Sequence, residues 1–179
     1  NATDRDNPDP ALQNFFVNGE ARGFFQSARR TEENGRPVYR AGDMNDRWMG
    51  DLCWLLLAYR HHEQVAGPGK YDDIQILLRD LLASWYTPAT RSLGGYVRHG
   101  WRQGDQRLHE DHGHPEGNID AYAVFRVIGE TERARQVRLW LEASLTGRDL
   151  PLDLYTWRAL AYGPEAASLL DIPDGDPKY

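Results

Sequence analysis

Three segments decide how this chain reads: Asp51-Leu52-Cys53-Trp54-Leu55-Leu56-Leu57-Ala58-Tyr59, Asn118-Ile119-Asp120-Ala121-Tyr122-Ala123-Val124-Phe125, and Asp153-Leu154-Tyr155-Thr156-Trp157-Arg158-Ala159-Leu160-Ala161-Tyr162. In each, a polar residue stands three or four positions before an aromatic, and an apolar residue follows three later. Side chains at i, i+3 and i+4 share one face of a helix, so each segment carries an apolar stripe. A second, more polar amphipathic stretch follows each one. The pattern is that of a repeated helical hairpin, and an internal repeat dominates any reading of fold class.

Outward from these segments, the spacing predicts helices over about 46–64, 71–86, 117–128, 131–146 and 152–162, with a short sixth over 164–170. Gly67-Pro68-Gly69, Gly129 and Gly163-Pro164 end them, and Asn45 or Asp46 is placed to cap the first. Phe15, Phe16, Phe24 and Phe25 imply one or two short helices within 10–30, broken near Gly19 and Gly23. Residues 31–45 read as a Gly- and charge-rich loop, with Val38 and Tyr39 in a short strand. The long connection 87–116 has the length of a functional loop. The expected organisation is a flexible segment 1–9, one helical-hairpin domain over 10–172, and a flexible tail 173–179. The expected fold class is all-α.

Composition narrows the partners. The 179-residue chain is 40% hydrophobic, enough for a core, and its formal net charge of −6 disfavours a nucleic-acid backbone as partner. No apolar run reaches the roughly 18 residues of a membrane span. Beginning at Asn1, the chain reads as a processed or trimmed product, soluble in a bacterial cytoplasm or secreted. Its one cysteine, Cys53, lies in the most apolar run and reads as a buried thiol, which excludes a disulfide within the chain and a zinc–thiolate cage. No phosphate-binding loop and no nucleophile elbow appears.

Three groups of residues can carry chemistry. Glu110, Asp111, Glu116, Asp120 and Asp153 lie in the polar loop or at expected helix starts. Glycoside cleavage needs an acid for the leaving oxygen and a second carboxylate as base or nucleophile. Glu116 and Asp120, four apart, can share one helix face. The bland alternative is capping, since acidic residues favour helix N-termini, and Asp153 is the plainest cap. His109-Glu110-Asp111-His112-Gly113-His114 has the composition of a transition-metal site, but its His spacing of three and then two is not that of a helical zinc motif. A polar loop beside a carbohydrate cleft explains it without a metal or any other cofactor. Aromatic planes hold the apolar faces of sugars. Trp101, between Gly100 and Arg102, is the first choice as platform, followed by Tyr122 and Tyr155, whereas Trp54 reads as core. Arg133, Arg135 and Arg138, alternating with Glu130, Glu132 and Glu142, read as a solvated helix face.

Four local patterns over about residues 45–163 resemble the six-hairpin glycosidase superfamily. They are Trp54-Leu55-Leu56-Leu57-Ala58-Tyr59 with Lys70-Tyr71-Asp72-Asp73 and Leu81-Leu82-Ala83-Ser84-Trp85; Gly94-Gly95-Tyr96; Glu116-Gly117-Asn118-Ile119-Asp120-Ala121-Tyr122; and Leu152-Asp153-Leu154-Tyr155-Thr156-Trp157-Arg158-Ala159-Leu160-Ala161. The resemblance implies an (α/α) toroid. With six to eight helices against about twelve for a full ring, it implies a partial toroid, whose open side self-associates or takes a partner chain. It also implies a glycoside hydrolase acting on a poly- or oligosaccharide, with Glu116 and Asp120 as acid and base and with Trp101, Tyr122, Tyr155, His112 and His114 holding the sugar. A polysaccharide lyase using His112, His114 or Tyr122 is one alternative. A non-catalytic helical-repeat module that binds glycan or protein is the other.

Overall fold

The computed structural model describes residues 12–43, 45–91, 93–109, 113–146 and 150–171. In chain order the elements are β1 (Phe16–Val17), β2 (Glu20–Ala21), β3 (Ala28–Glu33), β4 (Arg36–Ala41), β5 (Arg47–Trp48), α1 (Met49–Ala66), α2 (Asp72–Ser84), β6 (Tyr86–Thr87), β7 (Tyr96–Val97), β8 (Gly100–Arg102), β9 (Arg107–Leu108), α3 (Pro115–Val127), α4 (Thr131–Ser144) and α5 (Leu152–Tyr162). A 3-10 helix, Pro164–Leu170, follows. The strands form four small antiparallel sheets, so the all-α expectation is overturned: this is a mixed α/β protein and not an (α/α) toroid. The expected termini 1–9 and 173–179 lie outside the described residues.

The strands arise where two Asn-Gly pairs stand. Asn18-Gly19 and Asn34-Gly35 all have positive φ (53°, 81°, 53° and 74°). Two consecutive positive φ values make the type I′ turn whose twist matches antiparallel strands. The first joins β1 to β2, with Val17 opposite Glu20, where short helices were expected. The second joins β3 to β4, with Glu33 opposite Arg36, and the six-residue ladder runs to Ala28 opposite Ala41: the short strand expected at Val38 and Tyr39 is present, extended into residues expected as loop and, at Ala28–Arg30, as short helix. The outer edge of β4 is covered by side chains. The Gln13 amide donates to the Pro37 carbonyl (3.2 Å) and accepts from Tyr39 N–H (3.0 Å), while Asn14 donates to the Tyr39 carbonyl (2.6 Å). An amide side chain thus takes the place of a strand there.

The described residues group into two compact units. The first holds everything up to Trp85 together with Arg98–His109. Its core is one face of α1 (Met49, Leu52, Cys53, Leu56) and one face of α2 (Ile74, Leu78, Leu81, Leu82), with Phe15 and Trp85. Both faces follow the 3.6-residue period, and each fully buried Leu stabilises the unit by roughly 1.5–3 kcal/mol. Cys53 is buried, its sulfur 3.7 Å from that of Met49. Trp54, read as core, is 58% exposed instead. It stands two residues from Leu52 and so points away from the buried face, which an unbroken apolar run does not disclose. α1 starts at Met49 and not at about 46, because Arg47 and Trp48 pair with Trp101 and Gly100 as β5. Asp46 consequently caps no helix, and its Oδ1 accepts from Gln103 N–H at 2.8 Å. Arg47 is 2% exposed. It donates to the carbonyls of Gly23 (2.8 Å) and Asn14 (3.2 Å) and to the Gln103 amide oxygen, with its guanidinium 4.1 Å over the Phe25 ring.

The second unit holds Tyr86–Val97 and the described residues from Gly113 on. α3 packs on both α4 and α5. Its start is buried on every side, from Gly117 to Tyr122. Asn118, fully buried, explains why. Its Oδ1 accepts from Val97 N–H (2.8 Å), and its Nδ2 donates to the Val97 carbonyl (3.0 Å) and the His114 carbonyl (3.0 Å). The side chain clasps β7 onto the helix start. At the far end of α3, Arg126 donates to the carbonyls of Ala161 and Tyr162 (3.0 and 3.1 Å), satisfying the last turn of α5. The expected solvated face of α4 is present as the pairs Glu132–Arg135 and Arg138–Glu142.

Candidate functional site

The site with the most chemistry in the first unit grows from the three-stranded sheet β5–β8–β9. Antiparallel pairing sets Arg47 opposite Trp101 and Trp48 opposite Gly100, and Trp101 opposite Leu108. Partners across a ladder share a face, and neighbours along a strand alternate. Arg47 and Trp101 therefore face inward, both buried, while Trp48 faces outward, half-buried. The next residue of the third strand, His109, donates its backbone N–H to the Gly100 carbonyl (2.9 Å), which puts it in the outward row with Trp48. The residue between them is Gly100. A side chain there would collide with the Arg47 carbonyl oxygen and stand 3.0 Å from Trp48 Cα, and the φ of +154° also favours glycine. The β8 backbone lies close against β5 here, and three rings gather beside it.

Those rings are Trp48, His99 and His109. Centroid separations are 4.4 Å for Trp48–His99, 4.9 Å for Trp48–His109 and 5.3 Å for His99–His109. The triangle is nearly equilateral, so both imidazoles lie to one side of the indole and do not sandwich it. Trp48 Nε1 donates to Gln26 Oε1 at 3.0 Å, which fixes the plane of the indole. The arrangement offers an aromatic plane beside two imidazoles that donate or accept hydrogen bonds.

The residues singled out from the sequence are distributed differently. Trp101, the expected platform, is 8% exposed, and the Arg22 guanidinium lies 4.1 Å over its ring. Burial lowers the pKa of that guanidinium. Trp101 is thus a covered core residue, and the tryptophan of this sheet that reaches solvent is the half-buried Trp48. Tyr122 and Tyr155 in the second unit are 5% and 2% exposed. Tyr122 meets Tyr162 edge-on at 4.9 Å. Burial raises the pKa of the Tyr162 hydroxyl, against the opposing pull of Arg158. These tyrosines build the α3–α5 core and offer no open sugar platform.

The carboxylate pair lies on α3. His114 is the N-cap, Pro115 takes the first helical position, and Glu116 stands in the first turn, its Oε2 3.9 Å from His114 Nδ1. Both side chains are about two-fifths exposed. Asp120, one turn later on the same face, is 7% exposed. One carboxylate is open and the other enclosed. Asp153 lies in the first turn of α5, where its Oδ1 accepts from Leu154 N–H at 2.9 Å, a structural role. His112, Glu110 and Asp111 fall outside the described residues. Among the described residues, no three His, Cys, Asp or Glu side chains are grouped to hold a metal ion.

A groove of about 400 Å³ between α5 and the 3-10 helix is lined by Thr156, Leu160, Pro164, Ala167 and Leu170 and offers no titratable group. Among the described residues, no helix is long and apolar enough to cross a membrane. The sequence signal that points to Trp48 is Arg47-Trp48 and Gly100-Trp101, once read as strands with period two; His99 precedes β8 and is not disclosed by that alternation. Comparison of the chain with protein-family models, with curated proteins and with solved structures yields no match.

Proposed function

We propose that this chain is a soluble carbohydrate-binding protein whose first unit holds a saccharide against Trp48. The observation that supports this reading is the half-buried indole, fixed by Gln26 and flanked on one side by His99 and His109. The apolar C–H face of a sugar ring stacks on an indole, and hydroxyls around the ring exchange hydrogen bonds with imidazoles and amides. The net charge of −6 suits a neutral ligand. The test is a glycan array with the intact chain, followed by calorimetry on any ligand found. Trp48→Ala should abolish binding while the fold persists by circular dichroism. A ligand that binds the variant as tightly as the parent, or an array with no ligand, ends this reading.

A second reading, glycoside hydrolysis, is favoured by Glu116. Its open carboxylate beside His114 is placed to exchange protons with a leaving oxygen, and Asp120 follows one turn later. Acid catalysis contributes about 10²–10⁴-fold in rate, so Glu116→Gln should reduce turnover of any cleaved saccharide by that factor. Full activity in that variant refutes the assignment.

A further inference from the structure

We propose that His99 and His109 together chelate one divalent transition ion, with its remaining positions open to water or to sugar hydroxyls. The inference starts from the 5.3 Å between the two imidazole centres. An imidazole nitrogen sits about 2.0–2.1 Å from zinc, which places the ring centre roughly 3.2 Å from the ion. Two such arms at a tetrahedral angle set the ring centres about 5.2 Å apart. The observed separation already has that value.

The fold holds both rings in place from the backbone. Met49 N–H bonds the His99 carbonyl at 2.8 Å, and His109 N–H bonds the Gly100 carbonyl at 2.9 Å. The backbones of both residues are therefore anchored to the same sheet. Trp48 covers one side of the pair, with its centre within 4.9 Å of each imidazole. An apolar neighbour of this kind lowers the local dielectric and shields the ion from water on that side. Imidazole selects zinc, copper and nickel over magnesium and calcium. The one thiol, Cys53, is buried in the α1–α2 core and is no ligand here. Two protein ligands leave two or more positions on a tetrahedral ion for water or ligand oxygens.

The inference uses the residues of the saccharide reading but is tested without any sugar, so each can fail alone. Tag-free chain is titrated with zinc by calorimetry, and with copper by quenching of indole emission, using Trp48→Phe to isolate the Trp48 signal. The expected result is one equivalent bound, with the copper quench largely lost in Trp48→Phe. A second tethered ligand acts at an effective concentration of millimolar or above. His99→Ala and His109→Ala should therefore each weaken binding by about tenfold or more, while His61→Ala, on α1, leaves it unchanged. Melting curves confirm that the variants fold. No binding by the parent chain, or an affinity that survives either substitution in folded protein, overturns the proposal.

Discussion

Truncating Asn118 to alanine should destabilise the second unit severely, and the size of the loss follows from the contacts of one amide. Asn118 is fully buried and makes hydrogen bonds of 2.8, 3.0 and 3.0 Å to Val97 N–H, the Val97 carbonyl and the His114 carbonyl. Each bond is worth about 1 kcal/mol net, and an orphaned buried Val97 N–H costs a further 1–3 kcal/mol. Alanine is the better helix former and returns roughly half a kcal/mol. The balance is a loss of about 3–5 kcal/mol. For a chain of this size each kcal/mol moves Tm by roughly 2–4 °C, so a fall of about 6–20 °C is expected. The assay is urea and thermal unfolding followed by circular dichroism. Asn118→Asp sharpens it. The carboxylate keeps an acceptor for Val97 N–H but faces two carbonyl oxygens, which raises its folded pKa. Its deficit should be largest at neutral pH and shrink as acid protonates it. A loss below about 1 kcal/mol for Asn118→Ala would refute the clasp.

Other outcomes follow from single contacts. Gly100→Ala forces a side chain against the Arg47 carbonyl and should cost about 2–4 kcal/mol while changing Trp48 emission; an unchanged midpoint and spectrum would show that β8 can shift to accept it. Trp54→Gln removes a side chain that is 58% exposed and should alter stability by no more than about 1 kcal/mol, read from the urea midpoint. The Glu132 carboxyl, bonded by Arg135 and Gln136, is held down to about 2. A depressed carboxyl contributes stability above its unfolded pKa of about 4.3 and loses it as pH falls toward the folded value. Glu132→Gln should therefore separate from the parent in melting temperature above about pH 4 and merge with it near pH 2. Parallel curves across that range would show that the pair contributes nothing.

The helices were readable because their faces are periodic. Helix starts expected near 117, 131 and 152 fall at Pro115, Thr131 and Leu152, where Pro, Gly and charged residues punctuate an apolar stripe. The helical period does not run through the whole chain. Asn18-Gly19 and Asn34-Gly35 are strong two-residue hairpin signals, yet the strands beside them carry charges and no alternating apolar face. Glu32 and Arg40 look like loop, and Arg29 and Arg30 like part of a short helix, because no residue of this two-stranded hairpin is buried and it has no burial pattern to impose. The site was half readable for a related reason. Trp48 and Trp101 are both tryptophans near glycine or charge, and only the register of β5 on β8 decides which faces out. Glu116 was located correctly at a helix start, but its neighbour Asn118 turned out to carry the structural weight of that motif.

Arg47 carries a consequence for the kinetics of exchange with solvent. One enclosed guanidinium holds the backbone at Asn14 and at Gly23, so the stretch between them cannot detach without breaking two charge-assisted hydrogen bonds, each worth about 1.5–3 kcal/mol. Arg22 and Gly23 N–H both bond the Phe15 carbonyl, at 2.8 and 3.0 Å. Small surface hairpins with few buried contacts ordinarily open locally, and their amide protons exchange early. Here the Arg22 and Gly23 protons are tied to the same opening event that exposes α1. In a deuterium pulse they should appear late, together with the amides of Leu52 and Leu56, as members of one cooperative unit.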